Sequence, residues 1–146
     1  LQGRSPARMQ RLGQGALSAS VPAEAELWLD GGHNPAGGEA VAATLARMPA
    51  RPTHLICGML NTKDVTGYMR PLASHVKQLH AVSIPGEKNT LPAEETRDAA
   101  LSAGIAAVTA ASVAEALAEI AAKSPEARVL ICGSLYLAGS ILRENG

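Results

Sequence analysis

The residues best suited to chemistry gather in Asp30-Gly31-Gly32-His33-Asn34-Pro35, directly after the apolar run Leu27-Trp28-Leu29. In physical terms this is a buried strand, a tight turn, and a helix whose first backbone N–H groups face the turn. A carboxylate, an imidazole and a helix N-terminus set so close together suit the handling of phosphate and carboxylate groups. Asp30 reads either as a carboxylate for a ribose hydroxyl, an ammonium or a metal-bound water, or as the cap of the turn that follows it. His33 reads either as a phosphate-facing donor or proton carrier, or as a partly exposed turn residue. The flanking Gly31-Gly32 and Asn34-Pro35 favour the first, since a polar ring held at a helix N-terminus is seldom there for packing. Elsewhere, Ser134 is at least the N-cap of the last helix, with Tyr136 expected to pack beside it. Lys63-Asp64 is at least a helix start, and Arg8 has the look of a solvated surface charge beside Arg4 and Arg11.

Two motifs are missing from the sequence. No GxGxxG follows the Leu27–Leu29 strand, and Gly37-Gly38 falls inside the next helix, where it reads as close helix packing. No GxxxxGKS/T occurs, so the chain cannot hold a nucleoside triphosphate in the P-loop manner by itself.

The elements that must position these residues are legible from pattern. Strands are expected over Glu26–Asp30, His54–Met59, Gln78–Ile84, Ile105–Val108 and Arg128–Cys132, and Met9–Leu12 could add an edge strand. Helices are expected after Asn34-Pro35, with Val41, Leu45 and Met48 on one face, and from Asn61-Thr62-Lys63-Asp64 with a kink near Arg70. Others are expected over Pro92–Ala103, stopped by Gly104, from the capping box Ser112–Glu115, and over Ser134–Arg143. Alternation of this kind predicts an α/β class, Rossmann-like three-layer domain, with a mostly parallel sheet of about six strands and helices on both faces. Leu55-Ile56-Cys57-Gly58 and Leu130-Ile131-Cys132-Gly133 read as central strand ends, so the turns after Asp30, Gly58 and Gly133 should share one rim. Residues 1–25 read as an N-terminal linker or edge segment and 26–146 as the domain proper.

The 146 residues carry zero formal net charge and hold only Trp28, Tyr68 and Tyr136 as aromatics, which argues against nucleic-acid and anionic-membrane partners. Cys57 and Cys132 lie outside any zinc-ligand spacing and read as buried free thiols. With no run long enough to span a membrane, a reducing, cytoplasmic setting is expected. Residues 1–23 carry Arg4, Arg8 and Arg11 without an acid, like a transit peptide but lacking an amphipathic face. The start at Leu1 reads as a fragment or a trimmed chain.

Taken together, Pro6-Ala7-Arg8-Met9-Gln10, Asp30-Gly31-Gly32-His33-Asn34-Pro35, Lys63-Asp64 and Gly133-Ser134-Leu135-Tyr136 resemble one family in order and content. It is the carboxy-terminal domain of folylpolyglutamate synthase/dihydrofolate synthase, within the Mur ligase superfamily. The family pattern has Gly where Ala7 stands, and Gln14–Glu24 looks like a loop insertion between Arg8 and Asp30.

The resemblance implies an ATP-dependent ligase that joins L-glutamate to dihydropteroate or folates through an acyl phosphate. It assigns Arg8 and Asp30 to the bound nucleotide and sets His33 near the transferred phosphoryl group or the incoming glutamate. Ser134 becomes a candidate contact for the glutamate carboxylate. ATP and Mg2+ would be shared with an amino-terminal P-loop domain of the same parent chain, which would supply the metal ligands, and the fragment alone is expected to be inactive. Two alternatives stay open: another Mur-type amino-acid ligase domain, or a stand-alone Rossmann-like nucleotide- or metabolite-binding module.

Overall fold

The computed structural model describes residues 8–61 and 64–146. Pro6, Ala7 and Lys63, which contribute to the sequence pattern above, lie outside the described residues.

The chain runs β1 (Gln10–Arg11), α1 (Ala16–Ala19), β2 (Glu26–Leu29), α2 (Pro35–Arg47), β3 (Thr53–Cys57) and α3 (Val65–Met69). It continues through a 3-10 helix (Arg70–His75), β4 (Gln78–Ala81), α4 (Ala93–Ser102), β5 (Ala107–Thr109), α5 (Val113–Lys123), β6 (Arg128–Cys132) and α6 (Leu135–Asn145). The strands form one six-stranded sheet in the order β1-β2-β6-β3-β4-β5. Only the β1–β2 pair is antiparallel; the other pairs are parallel. The expected three-layer α/β architecture is therefore the one observed.

Local sequence accounts for most element ends. The Asn34 side chain accepts the Gly37 N–H, and Pro35 takes the first helical position, where a missing N–H costs nothing. Ser112 does the same for α5 by accepting from the Glu115 N–H, and Asp64 for α3 by accepting from that of Gly67. After Met69 the helix tightens into the 3-10 turn where Pro71 cannot donate, which is the kink expected near Arg70.

β3 and β6 are buried along their whole length and pair in register, Leu55 with Leu130 and Cys57 with Cys132. One face of the sheet packs Leu55, Leu79 and Leu130 against Val41 and Leu45 of α2, Tyr68 of α3 and Ala100 of α4. The other packs Ile56, Val129 and Ile131 against Leu117 and Ile120 of α5, Leu137 and Ile141 of α6, and Leu17 of α1. Each fully buried Leu or Ile contributes about 1.5–3 kcal/mol by leaving water. A side chain at Gly38 would collide with the Tyr68 carbonyl oxygen, so α2 and α3 approach as closely as the glycine pair suggested.

Some expected boundaries are corrected. β4 ends at Ala81 rather than Ile84, because the Ile84 N–H turns away to donate to Thr90 Oγ1. β5 starts at Ala107 instead of Ile105, whose N–H closes the end of α4 on the Ala100 carbonyl. Gln14–Glu24 contains the short helix α1 and is not all loop. Asn145 near the end of α6 accepts the Leu17 and Ser18 N–H groups and donates to the Gln14 carbonyl. This seam fixes the segment to α6. Tyr136 does not pack beside Ser134; it is 58% exposed.

Candidate functional site at the carboxyl edge of the sheet

The registers Leu29↔Ile131 and Cys57↔Cys132 bring the ends of β2, β6 and β3 level, so the turns after them share one rim. β2 and β6 are neighbours, yet α2 and α6 leave them for opposite faces of the sheet. Such a switch in the direction of the connections opens a crevice at the strand ends, where ligands of α/β sheets collect. Gly31 lines the β2 side against Leu135 at the start of α6: a Cβ on Gly31 would lie 2.5 Å from Leu135 Cδ2. Gly133 forms the other turn at φ 109°, and a Cβ there would fall 2.6 Å from the Gly58 carbonyl oxygen. Only glycine satisfies both conditions.

Asp30 stands at the base of the crevice, 1% exposed. Its Oδ1 accepts the Met9 N–H at 2.9 Å and its Oδ2 accepts the Gly32 N–H at 2.9 Å. Burial raises its pKa; the two N–H donors and the positive charge of Arg8 pull the other way. Each carboxylate oxygen keeps a second lone pair for a further donor. Arg8 is exposed, and its charge is felt at Asp30 because β1 lies antiparallel against β2. His33 is exposed in the turn between Gly32 and the Asn34 cap, beside the α2 N-terminus. Ser134 is buried, and its Oγ accepts the Tyr136 and Leu137 N–H groups as the N-cap of α6.

The structure thus gathers Arg8, Asp30 and His33 at one edge, with Ser134 across the β2–β6 junction. Lys63 lies outside the described residues, and Asp64 serves as the cap of α3. Met9, expected only as the start of an edge strand, also takes part in the site. It acts through its backbone N–H, and no side-chain pattern signals that. Among the described residues no group of three or more His, Cys, Asp or Glu side chains is placed to hold a metal ion. No described helix is long and apolar enough to cross a membrane.

An α/β domain with a carboxylate, a guanidinium and two helix N-termini at the carboxyl edge of its sheet belongs to the class that can receive anionic ligands there. The family model for the Mur ligase glutamate ligase domain matches residues 7–135, and the chain belongs to that family. It is 30% identical over 143 residues to the folylpolyglutamate synthase of Lacticaseibacillus casei, an alignment covering 93% of this chain and 32% of that protein. It is also similar to Mycobacterium tuberculosis folylpolyglutamate synthase complexed with ADP and AMPPCP: 27% identity, TM-score 0.77, covering 98% of this chain and 33% of that one. The bifunctional folylpolyglutamate synthase/dihydrofolate synthase of Yersinia pestis with Mn, AMPPNP and L-glutamate bound shares the fold. There the identity is 20% and the TM-score 0.72, with 97% of this chain and 32% of that one covered. The chain therefore spans about a third of the length of these relatives.

Proposed function

We propose that this chain is the carboxy-terminal domain of a folylpolyglutamate synthase/dihydrofolate synthase, a cytoplasmic ATP-dependent ligase. The reaction adds L-glutamate to dihydropteroate or folates through an acyl phosphate, at a site shared with a P-loop domain of the parent protein. This reading is supported by the match to a Mur ligase glutamate ligase domain, in which Arg8, Asp30 and His33 fall at the same carboxyl edge of the sheet. Arg8 and Asp30 would hold the nucleotide. Bound there with Mg2+, whose ligands we place in the P-loop domain, ATP supplies the phosphoryl group that activates the acceptor carboxylate.

The fit is chemical. The exposed Arg8 guanidinium offers planar, permanently charged donors to phosphate oxygens. Asp30 retains acceptor capacity for a ribose hydroxyl. His33 and the Ala36 amide at the start of α2 donate to an oxyanion or to the incoming glutamate. The Ser134 hydroxyl proton is left for a glutamate carboxylate, since its oxygen is occupied by the helix cap.

The test is a titration of ADP into the 15N-labelled chain. Amide shifts confined to residues 30–38 and 133–137 and diminished in Arg8→Ala support the reading. Tight binding undiminished in Arg8→Ala and Asp30→Ala would place the site elsewhere and favour a stand-alone binding module. Glutamate ligation by the chain alone would contradict a shared site. In a protein joined to the P-loop domain, competition by dihydropteroate rather than by a UDP-sugar separates this ligase from one acting on peptidoglycan precursors.

A further inference from the structure

Met9 is the sole non-glycine residue with positive φ among the described residues, at 41°. L-residues avoid this region because Cβ crowds the backbone, and they stay in it only where the surroundings enforce it. The enforcing contact is visible: the Met9 N–H donates to Asp30 Oδ1 at 2.9 Å. Immediately afterwards Gln10 pairs with Leu29 and Arg11 with Trp28, so the following residues are held by β2. Immediately before comes Arg8, exposed and electrostatically close to Asp30. The direction in which the chain leaves β1 toward Arg8 therefore depends on one strained residue and one carboxylate. The same carboxylate, through Oδ2, also holds the Gly32 N–H in the turn that carries His33.

We propose that Asp30 is a positioning residue for Arg8: by fixing Met9 in the left-handed conformation, it holds the guanidinium over the crevice, in addition to any contact of its own with a nucleotide. The functional consequence rests on the reading of Arg8 as a phosphate-binding residue; the conformational claim does not. Without the carboxylate, nothing offsets the cost of the left-handed backbone at residue 9. The residue relaxes, its N–H turns away, and Arg8 leaves the rim. Glycine at position 9 carries no such cost, so it should keep Arg8 in place even when Asp30 is lost.

The experiment has two arms on the 146-residue chain. In the first, the intraresidue amide-to-Hα NOE of residue 9, intense only at positive φ, is compared in wild type and Asp30→Ala. The NOE should be strong in wild type and lost in Asp30→Ala. Persistence of positive φ in a folded Asp30→Ala chain overturns the proposal. Should Asp30→Ala not fold, Met9→Val decides, since a β-branched residue resists positive φ: it should match Arg8→Ala in the second arm, and wild-type behaviour there overturns the proposal.

The second arm measures ADP affinity. Asp30→Ala should weaken binding about tenfold, as expected for one charge-assisted phosphate contact. Asp30→Ala/Met9→Gly should recover the part of that loss that runs through Arg8, and adding Arg8→Ala should abolish the recovery. Rescue is the diagnostic result, because a carboxylate acting only as a ribose ligand cannot be replaced by a glycine at position 9. A wild-type chain that ignores ADP counts against the nucleotide reading, while the NOE arm still decides the positioning claim.

Discussion

Lowering the pH from 7 toward 5 should destabilise this fold through His54 and His80, which sit between α5 and the sheet. They are 5% and 2% exposed. Neither ring nitrogen of His54 has a hydrogen-bond partner, nor does Nδ1 of His80; His80 Nε2 lies 3.9 Å from Glu119 Oε2. Burial pushes the pKa of His54 down, and the neighbouring His80, Lys77 and Lys123 add to the effect. Burial also lowers that of His80; Glu119 opposes this and Lys123 reinforces it. The sign follows. Above the unfolded value of about 6.5 both states are neutral and nothing is lost. Below it the unfolded chain binds protons that the native chain refuses, so stability falls with pH until the depressed native values are reached. Each imidazole contributes a slope of at most roughly 1.4 kcal/mol per pH unit, so the pair gives at most roughly 2.7 kcal/mol per unit at its steepest. That is a large share of a typical domain stability of about 5–15 kcal/mol. Urea unfolding at a series of pH values between 7.5 and 5 measures it directly. His54→Leu/His80→Leu should flatten the profile by that amount at unchanged m-value. The raised pKa of Asp30 acts in the opposite sense, gaining stability as pH falls through its native value. Parallel profiles for wild type and the double variant, or imidazole protons titrating at the ordinary value, would refute the reasoning.

Gly133→Ala should cost about 2–4 kcal/mol, since alanine at φ 109° is strained and its Cβ meets the Gly58 carbonyl; the urea midpoint reads it. Arg128 is 3% exposed and donates to Glu26 Oε1 at 3.3 Å and to the Pro49 carbonyl at 2.7 Å. Arg128→Ala should therefore lose about 3–5 kcal/mol, with Arg128→Met losing less because its volume is retained. Asn145→Ala leaves the Leu17 and Ser18 N–H groups and the Gln14 carbonyl without their partner. A loss of about 1–3 kcal/mol is expected, with amide exchange in α1 accelerating ahead of that in α2.

Much of the site was legible because its signals are local. Asn34 and Pro35 mark a helix start within three residues of His33, and the unalternating run His54–Met59 marks a strand covered on both faces, though the strand itself ends at Cys57. Cys57 and Cys132 read as free buried thiols, and the structure has them so. The elements that slipped were governed by partners that hydrophobic pattern does not reveal, one of them far along the chain. Ile84 leaves β4 for Thr90, and a helical turn forms inside the apparent insertion because Asn145 is there to receive its N–H groups.

The succession of strands and helices along the chain and the residue types at the rim are properties of the sequence, since capping, periodicity and turn preference act over a few residues. The tertiary structure alone decided that β2 and β6 would be neighbours and that an Asp would hold a backbone N–H 21 positions away. It also decided that a methionine would take a left-handed conformation. Those outcomes depend on which segments meet once the sheet has closed, and neither composition nor local pattern specifies such a meeting.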